Sequence, residues 1–241
     1  MFLFPFFQQE NDLLTITPEQ GSRFAKEIAN DFNPIHDPEA KRYCVPGDLL
    51  FSLALMKYGL YQNMHFHFQG MVGKSTPVKF LKPEEKSIHI LDDKEKTILQ
   101  AHCDGQKIAD TEQQAALESF IRGYVSFSGH NFIQILEPLM QKHSVMINPQ
   151  RPLIIYESMS FSLEVEQFKE AVPKLTHSEL HIDGKRGDAH LYFDIFDGET
   201  VIGSGKKTLI LSSLRPYDAP AMQEVKDVYI ANKKRYELSA S

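Results

Sequence analysis

The chain has 241 residues, 42% of them hydrophobic and 24% charged, the ordinary proportions of a globular protein, which excludes disorder, collagen and coiled coil as descriptions of the whole. Its 26 Lys and Arg against 32 Asp and Glu leave a net charge of −6, a balance that argues against nucleic-acid binding, which needs cationic surface. Two cysteines, Cys44 and Cys103, make no disulfide framework and no CxxC motif.

The opening Phe2-Leu3-Phe4-Pro5-Phe6-Phe7 is apolar but has no basic flank and is too short for a signal peptide or a membrane span. It reads as a short edge strand or a hydrophobic anchor. No other stretch reaches membrane length, and a cytoplasmic location is expected. Thr17-Pro18-Glu19-Gln20 is a helix-start signal, with Thr17 as cap, Pro18 in the first turn and Gln20 closing a capping box. Phe24, Ala25 and Ile28 continue it at helical spacing, so residues 18–29 are expected to form an amphipathic helix. Pro34 pushes Asn33 out of helical geometry and ends it.

Gly47-Asp48 then leads into Leu49-Leu50-Phe51-Ser52-Leu53-Ala54-Leu55-Met56, which is apolar on nearly every face and predicts a helix buried all round, ending near Gly59. Strand-like runs follow at 64–70, 76–81, 87–91 and 97–104, with a further one at 107–117. The second half repeats this order. A helix-like stretch at 131–143, kinked or started late by Pro138, precedes strand-like runs at 153–165, 175–182, 189–196 and 200–211.

Gly47 matches Gly129, and Asp104-Gly105 matches Asp197-Gly198 as hairpin signals, so a diverged duplication is expected. The units are residues 1–123, residues 124–216 and a tail, 217–241, with helical spacing over part of its length. The fold class is α+β, with a sheet wrapped around a buried helix in each half.

The stretch richest in chemistry is Asp31-Phe32-Asn33-Pro34-Ile35-His36. It sets a carboxylate, an amide and an imidazole on one short loop stiffened by proline, so both ionisable groups can reach one pocket. Gly47 soon afterwards opens a buried helix, whose free first-turn amides suit a developing oxyanion. The same loop also reads as a capped turn, with Asp31 and Asn33 bonding local backbone amides.

The loop resembles the motif of the MaoC-like (R)-specific enoyl-CoA hydratases, a branch of the hot-dog superfamily. Asp31, Asn33, Pro34, Ile35 and His36 match in register, and Phe24 and Ala25 match upstream. Over its whole length the chain resembles a proteobacterial family of unknown function. Three departures stand out. Asn30 replaces the motif's glycine, Pro46 replaces the histidine before Gly47, and the segment from His36 to Gly47 is shorter.

The resemblance implies a double hot-dog fold with one site per chain. It also implies reversible addition of water to an enoyl thioester carried by CoA or acyl carrier protein. In that chemistry Asp31 and His36 hold and activate the water, the Gly47 amide polarises the thioester carbonyl, and Asn33 braces the loop. A non-catalytic acyl-thioester or lipid-binding module and an acyl-CoA thioesterase are the competing expectations. No cofactor, metal, nucleic acid or membrane partner is expected, and a homodimer is left open.

Other side chains read as structural. His65 and His67 share one strand face without an identifiable third ligand. Cys44 reads as a small buried residue. Gly203-Ser204-Gly205-Lys206-Lys207 lacks phosphate-loop spacing, and Lys233-Lys234-Arg235 reads as a solvated basic run.

Overall fold

The computed structural model describes residues 2–110 and 112–240. Their strands form one antiparallel sheet of ten and a small two-stranded ribbon. In the first half, β1 (Gln8–Glu10) and β2 (Leu13–Thr15) precede helix α1 (Pro18–Glu27) and the long helix α2 (Gly47–Tyr58). Strands β3 (Leu60–Phe68), β4 (Val78–Glu84), β5 (Ser87–Asp92) and β6 (Thr97–Ala109) follow. Helix α3 (Gln114–Ser126), a 3₁₀ turn (Phe127–His130), a π-helical turn (Asn131–Leu136) and α4 (Glu137–Lys142) then run nearly end to end. The second half continues with β7 (Val145–Met146), β8 (Ile154–Leu163), β9 (Val172–Asp183), β10 (Arg186–Asp197), β11 (Thr200–Ser212), β12 (Arg215–Pro216) and α5 (Ala219–Ala240).

The strand order of the large sheet is β1-β2-β4-β5-β6-β3-β8-β11-β10-β9. It has an internal symmetry, since β4-β5-β6-β3 and β8-β11-β10-β9 are the same four-strand arrangement joined back to back. The seam is the ladder from Asn63–Ser162 to His67–Ser158, with His65–Ser160 as its middle pair. Each half lays a helix on the inner face, and this is the double hot-dog architecture.

Helix α2 is buried continuously from Asp48 to Leu55, as its apolar composition requires. Beside it lies α3, whose Tyr124 stacks on Phe51 at 4.7 Å between ring centroids. Phe66 of β3 and Phe161 of β8 close around the pair, 4.7 Å from Phe51 and 4.6 Å from Phe120. Aromatic side chains of this size contribute about 1.5–3 kcal/mol each when fully buried, so this cluster joins the two halves through a shared core.

Local signals explain several boundaries. Thr17 and Gln20 form the expected capping box around Pro18. Leu3, Phe6 and Phe7 are buried and anchor the start of the chain.

Three expectations need correction. Residues 107–117 are not one strand, because β6 ends at Ala109 and α3 begins at Gln114. Helical structure in the second half starts well before residue 131, and Gly129 lies in the 3₁₀ turn rather than at a helix start. Asp104-Gly105 is not a hairpin. Strand β6 runs through it, and Gly105, at φ +78°, marks a register slip against β3. Asp197-Gly198 does form the tight β10–β11 turn, while the corresponding β5–β6 turn follows Asp92. The position 123/124 falls inside α3, and the tail is α5.

Candidate functional site

The loop after α1 is shaped by its own polar side chains. Asp31 Oδ1 accepts the Asn33 amide at 2.9 Å, and Asn33 Oδ1 accepts the Ile35 amide at 3.2 Å, starting the 3₁₀ turn Pro34–His36. These are the local bonds of a capped turn, but they leave Asp31 Oδ2 unused by the turn. That oxygen lies 3.7 Å from His36 Nε2, and the two side chains are 20% and 12% exposed.

The Cys44 carbonyl lies 2.7 Å from His36 Nδ1. A carbonyl only accepts, so Nδ1 carries the hydrogen and Nε2 presents its lone pair to Asp31 in the neutral ring. The Cys44 thiol is pushed up to about 12 by burial, which keeps it protonated and supports the structural reading of that side chain.

Asn30, the residue in place of the motif's glycine, adopts φ +53°. Asparagine tolerates this left-handed conformation better than most residues, so the loop keeps a backbone shape that glycine also adopts. Gly129 lies against it, and a Cβ there would collide with the Asn30 carbonyl. Residues from both halves therefore pack together just before Asp31.

Asp31, Asn33, His36 and Gly47 all line one cavity of about 660 Å³. Gly47 is the first residue of α2, and the geometry of a helix leaves first-turn amides without an intrahelical acceptor. Its Cα is wedged between Phe68 and Tyr156, where a Cβ would come within 3.1 and 3.3 Å of their rings. The rest of the wall is mostly apolar, with Leu50, Val72, Phe132 and Ile155 among it, and α5 contributes Val225, Val228 and Tyr229. The Tyr229 hydroxyl also accepts the Phe32 amide at 3.2 Å, tying α5 to the loop.

Behind the cavity runs a polar chain that sequence reading missed. Lys207 of β11 is fully buried, and its Nζ donates to the Tyr124 carbonyl and Ser128 Oγ, each at 3.0 Å, with Asp48 Oδ1 at 3.4 Å. Ser128 Oγ and the Tyr156 hydroxyl are 2.6 Å apart, and Asn131 Nδ2 donates to that hydroxyl at 3.4 Å. Ser128, Asn131 and Tyr156 line the cavity. Asn131 Oδ1 is buried with no partner, and it opens a π-helical turn, a distortion frequent at functional sites.

Charge in this region follows burial. Desolvation raises the Asp31 carboxyl above its ordinary range, against the attraction of His36 and the bond from Asn33. Desolvation also lowers Lys207, with Asp48 opposing, and raises the Tyr156 hydroxyl well above its ordinary value, which keeps it protonated. The signal for Lys207 was its place in alternation with Gly205, Leu209 and Leu211 on the inner face of its strand.

Among solved structures, the chain is similar to a hot-dog protein of unknown function from Alicyclobacillus acidocaldarius (7% identity, 90% of this chain and 99% of that one, TM-score 0.49). It is also similar to an acyl-CoA thioesterase II from Mycobacterium marinum (8% identity, 91% and 99%, TM-score 0.47) and to a MaoC-like dehydratase (7% identity, 85% and 97%, TM-score 0.43). No curated protein matches the sequence. No helix among the described residues is long and apolar enough to cross a membrane. Residues 1–220 match the model of DUF3581, described as a protein of unknown function, and the chain belongs to that family.

Proposed function

We propose that the cavity binds an acyl thioester and that Asp31 and His36 add water reversibly to its enoyl form. The observation that carries this reading is the 3.7 Å gap between Asp31 Oδ2 and His36 Nε2 on the wall of a largely apolar cavity. One water at ordinary hydrogen-bond distance, about 2.8 Å, fits against both atoms.

In the forward direction His36 Nε2 takes a proton from this water as its oxygen bonds to C3. The C2–C3 π electrons shift toward the thioester oxygen, and the Gly47 amide at the positive end of α2 stabilises the enolate. The neutral Asp31 carboxyl, favoured by burial, gives its proton to C2. The imidazolium then returns a proton to Asp31 and restores the starting state. Asn33 keeps Asp31 Oδ1 engaged, so that Oδ2 does the chemistry. The cavity volume is within the usual range for small-molecule sites, about 300–1,000 Å³.

The test uses purified protein with crotonyl-CoA and a C8 enoyl-CoA, following loss of the enoyl-thioester absorbance and release of free thiol in parallel. Absorbance loss without thiol is the expected result. Thiol released in step with substrate loss assigns hydrolysis by the same water instead. Thermal stabilisation by acyl-CoA without turnover assigns a binding module. No turnover and no stabilisation overturns the acyl-thioester reading altogether.

A further inference from the structure

The face of the sheet opposite the helices carries a second cluster that the cavity does not use. On edge strand β9, residues 177, 179 and 181 alternate outward, while Leu180 points into the core. On β10, His190 stands directly opposite Glu179, and Tyr192 stands opposite His177. Two imidazoles converge on one carboxylate oxygen, with His190 Nδ1 at 3.1 Å and His181 Nε2 at 3.4 Å from Glu179 Oε1. The Tyr192 hydroxyl donates to the same oxygen at 3.1 Å, and His177 Nε2 lies 3.9 Å from Oε2.

Among the described residues, Glu179, His181 and His190 are the one group of three such side chains whose ligand atoms all lie within 4.8 Å of one another. The outward His65 and His67 of the first half belong to no such group. The residues of this group lie on β9 and β10 and pair only through the fold, so their spacing in the sequence does not single them out.

We propose that Glu179, His181 and His190 bind a divalent transition-metal ion, with Zn²⁺ the best match to the donor set. Two imidazoles and one carboxylate are a recurrent zinc set that leaves one position open to solvent. Ligand bonds of about 2.0–2.2 Å in a tetrahedron put donor atoms roughly 3.4 Å apart. The two measured separations from Glu179 Oε1 fit that edge with side-chain adjustments of a few tenths of an ångström. Glu179 supplies the anionic ligand of the set and the two imidazoles the neutral ones. Tyr192 and His177 orient that carboxylate from outside the coordination shell. The bound ion would clip the exposed edge strand β9 to β10.

Tag-free protein, stripped with chelator, is titrated with Zn²⁺ by calorimetry and with Co²⁺ by visible absorption. One equivalent is expected, with tetrahedral Co²⁺ bands and a Zn²⁺-dependent rise in Tm. His181→Ala, at a side chain 62% exposed, is expected to keep the parent's Tm in the absence of metal and to weaken binding at least tenfold. Glu179→Gln and His190→Ala should do the same, and the double variant His65→Ala/His67→Ala should bind as the parent does. Absence of binding at 100-fold excess metal overturns the proposal. So does binding that survives His181→Ala and His190→Ala, or that disappears with His65 and His67.

Discussion

The two halves share a strand arrangement but fill it differently, and the contrast shows how one cavity is built from both. With the middle of the β3–β8 ladder as the axis, Met64 corresponds to Met159, and their outer neighbours Cys103 and Lys207 correspond to each other. Both are fully buried. The first half thus keeps a small apolar side chain at this position, while its Asp31 and His36 stand on the loop after α1. The second half puts a buried cation there, braces it with Asp48 from the first half, and runs a polar chain from it through Ser128 to Tyr156 on the cavity wall. The Asp31 loop and the buried cation thus come from opposite sides of the seam.

The largest effect should come from the loop. His36→Ala and Asp31→Asn are each expected to lower kcat/KM for enoyl-thioester hydration about 10²–10⁴-fold, the usual worth of an acid–base group. Equal activity in these variants and the parent would place the chemistry outside the first half.

Next is the buried cation. Lys207→Met leaves Asp48 without its charge partner and should cost about 3–5 kcal/mol in urea denaturation, whereas Asp48→Leu/Lys207→Met should regain most of it. The corresponding Cys103→Ala should cost roughly 1 kcal/mol. Similar losses at both positions would dissolve the contrast between the halves.

Tyr156→Phe removes the hydroxyl that Ser128 and Asn131 share and should cost about 0.5–1.5 kcal/mol of stability. It should also weaken ligand binding relative to an equally destabilised variant remote from the cavity.

The smallest effect is on the pH dependence of stability. Asp31 has a raised folded-state pKa, so the folded protein holds its proton where the unfolded chain has lost it. The resulting contribution is complete below the ordinary value of 3.8 and is lost as pH rises from there through the raised value. Asp31→Asn should remove that decline from unfolding curves taken between pH 4 and 7.5; an unchanged slope would mean burial does not perturb this carboxyl.

The loop was legible because its residues lie within six positions of one another and proline fixes their conformation. The buried helix α2 was legible because it is apolar on every face. Tyr156, Asn131 and Lys207 were not, since their roles depend on strand and helix partners up to 159 residues away, as with Lys207 and Asp48. Asp104-Gly105 misled for a related reason. The same two residues suit a hairpin turn and a bulge, and only the continued pairing of β6 with β3 decides between them. The helical stretch before residue 131 was obscured because its first residues fall within the run 107–117, read as one strand.

The contact between Tyr229 and the Phe32 amide ties the C-terminal helix to the polar loop of the first half. Helix α5 supplies part of the wall and, through that one hydroxyl, fixes the backbone next to Asp31. The same helix thus both closes one side of the cavity and holds the backbone from which Asp31 projects, so a change in α5 is felt at the wall and at the loop together.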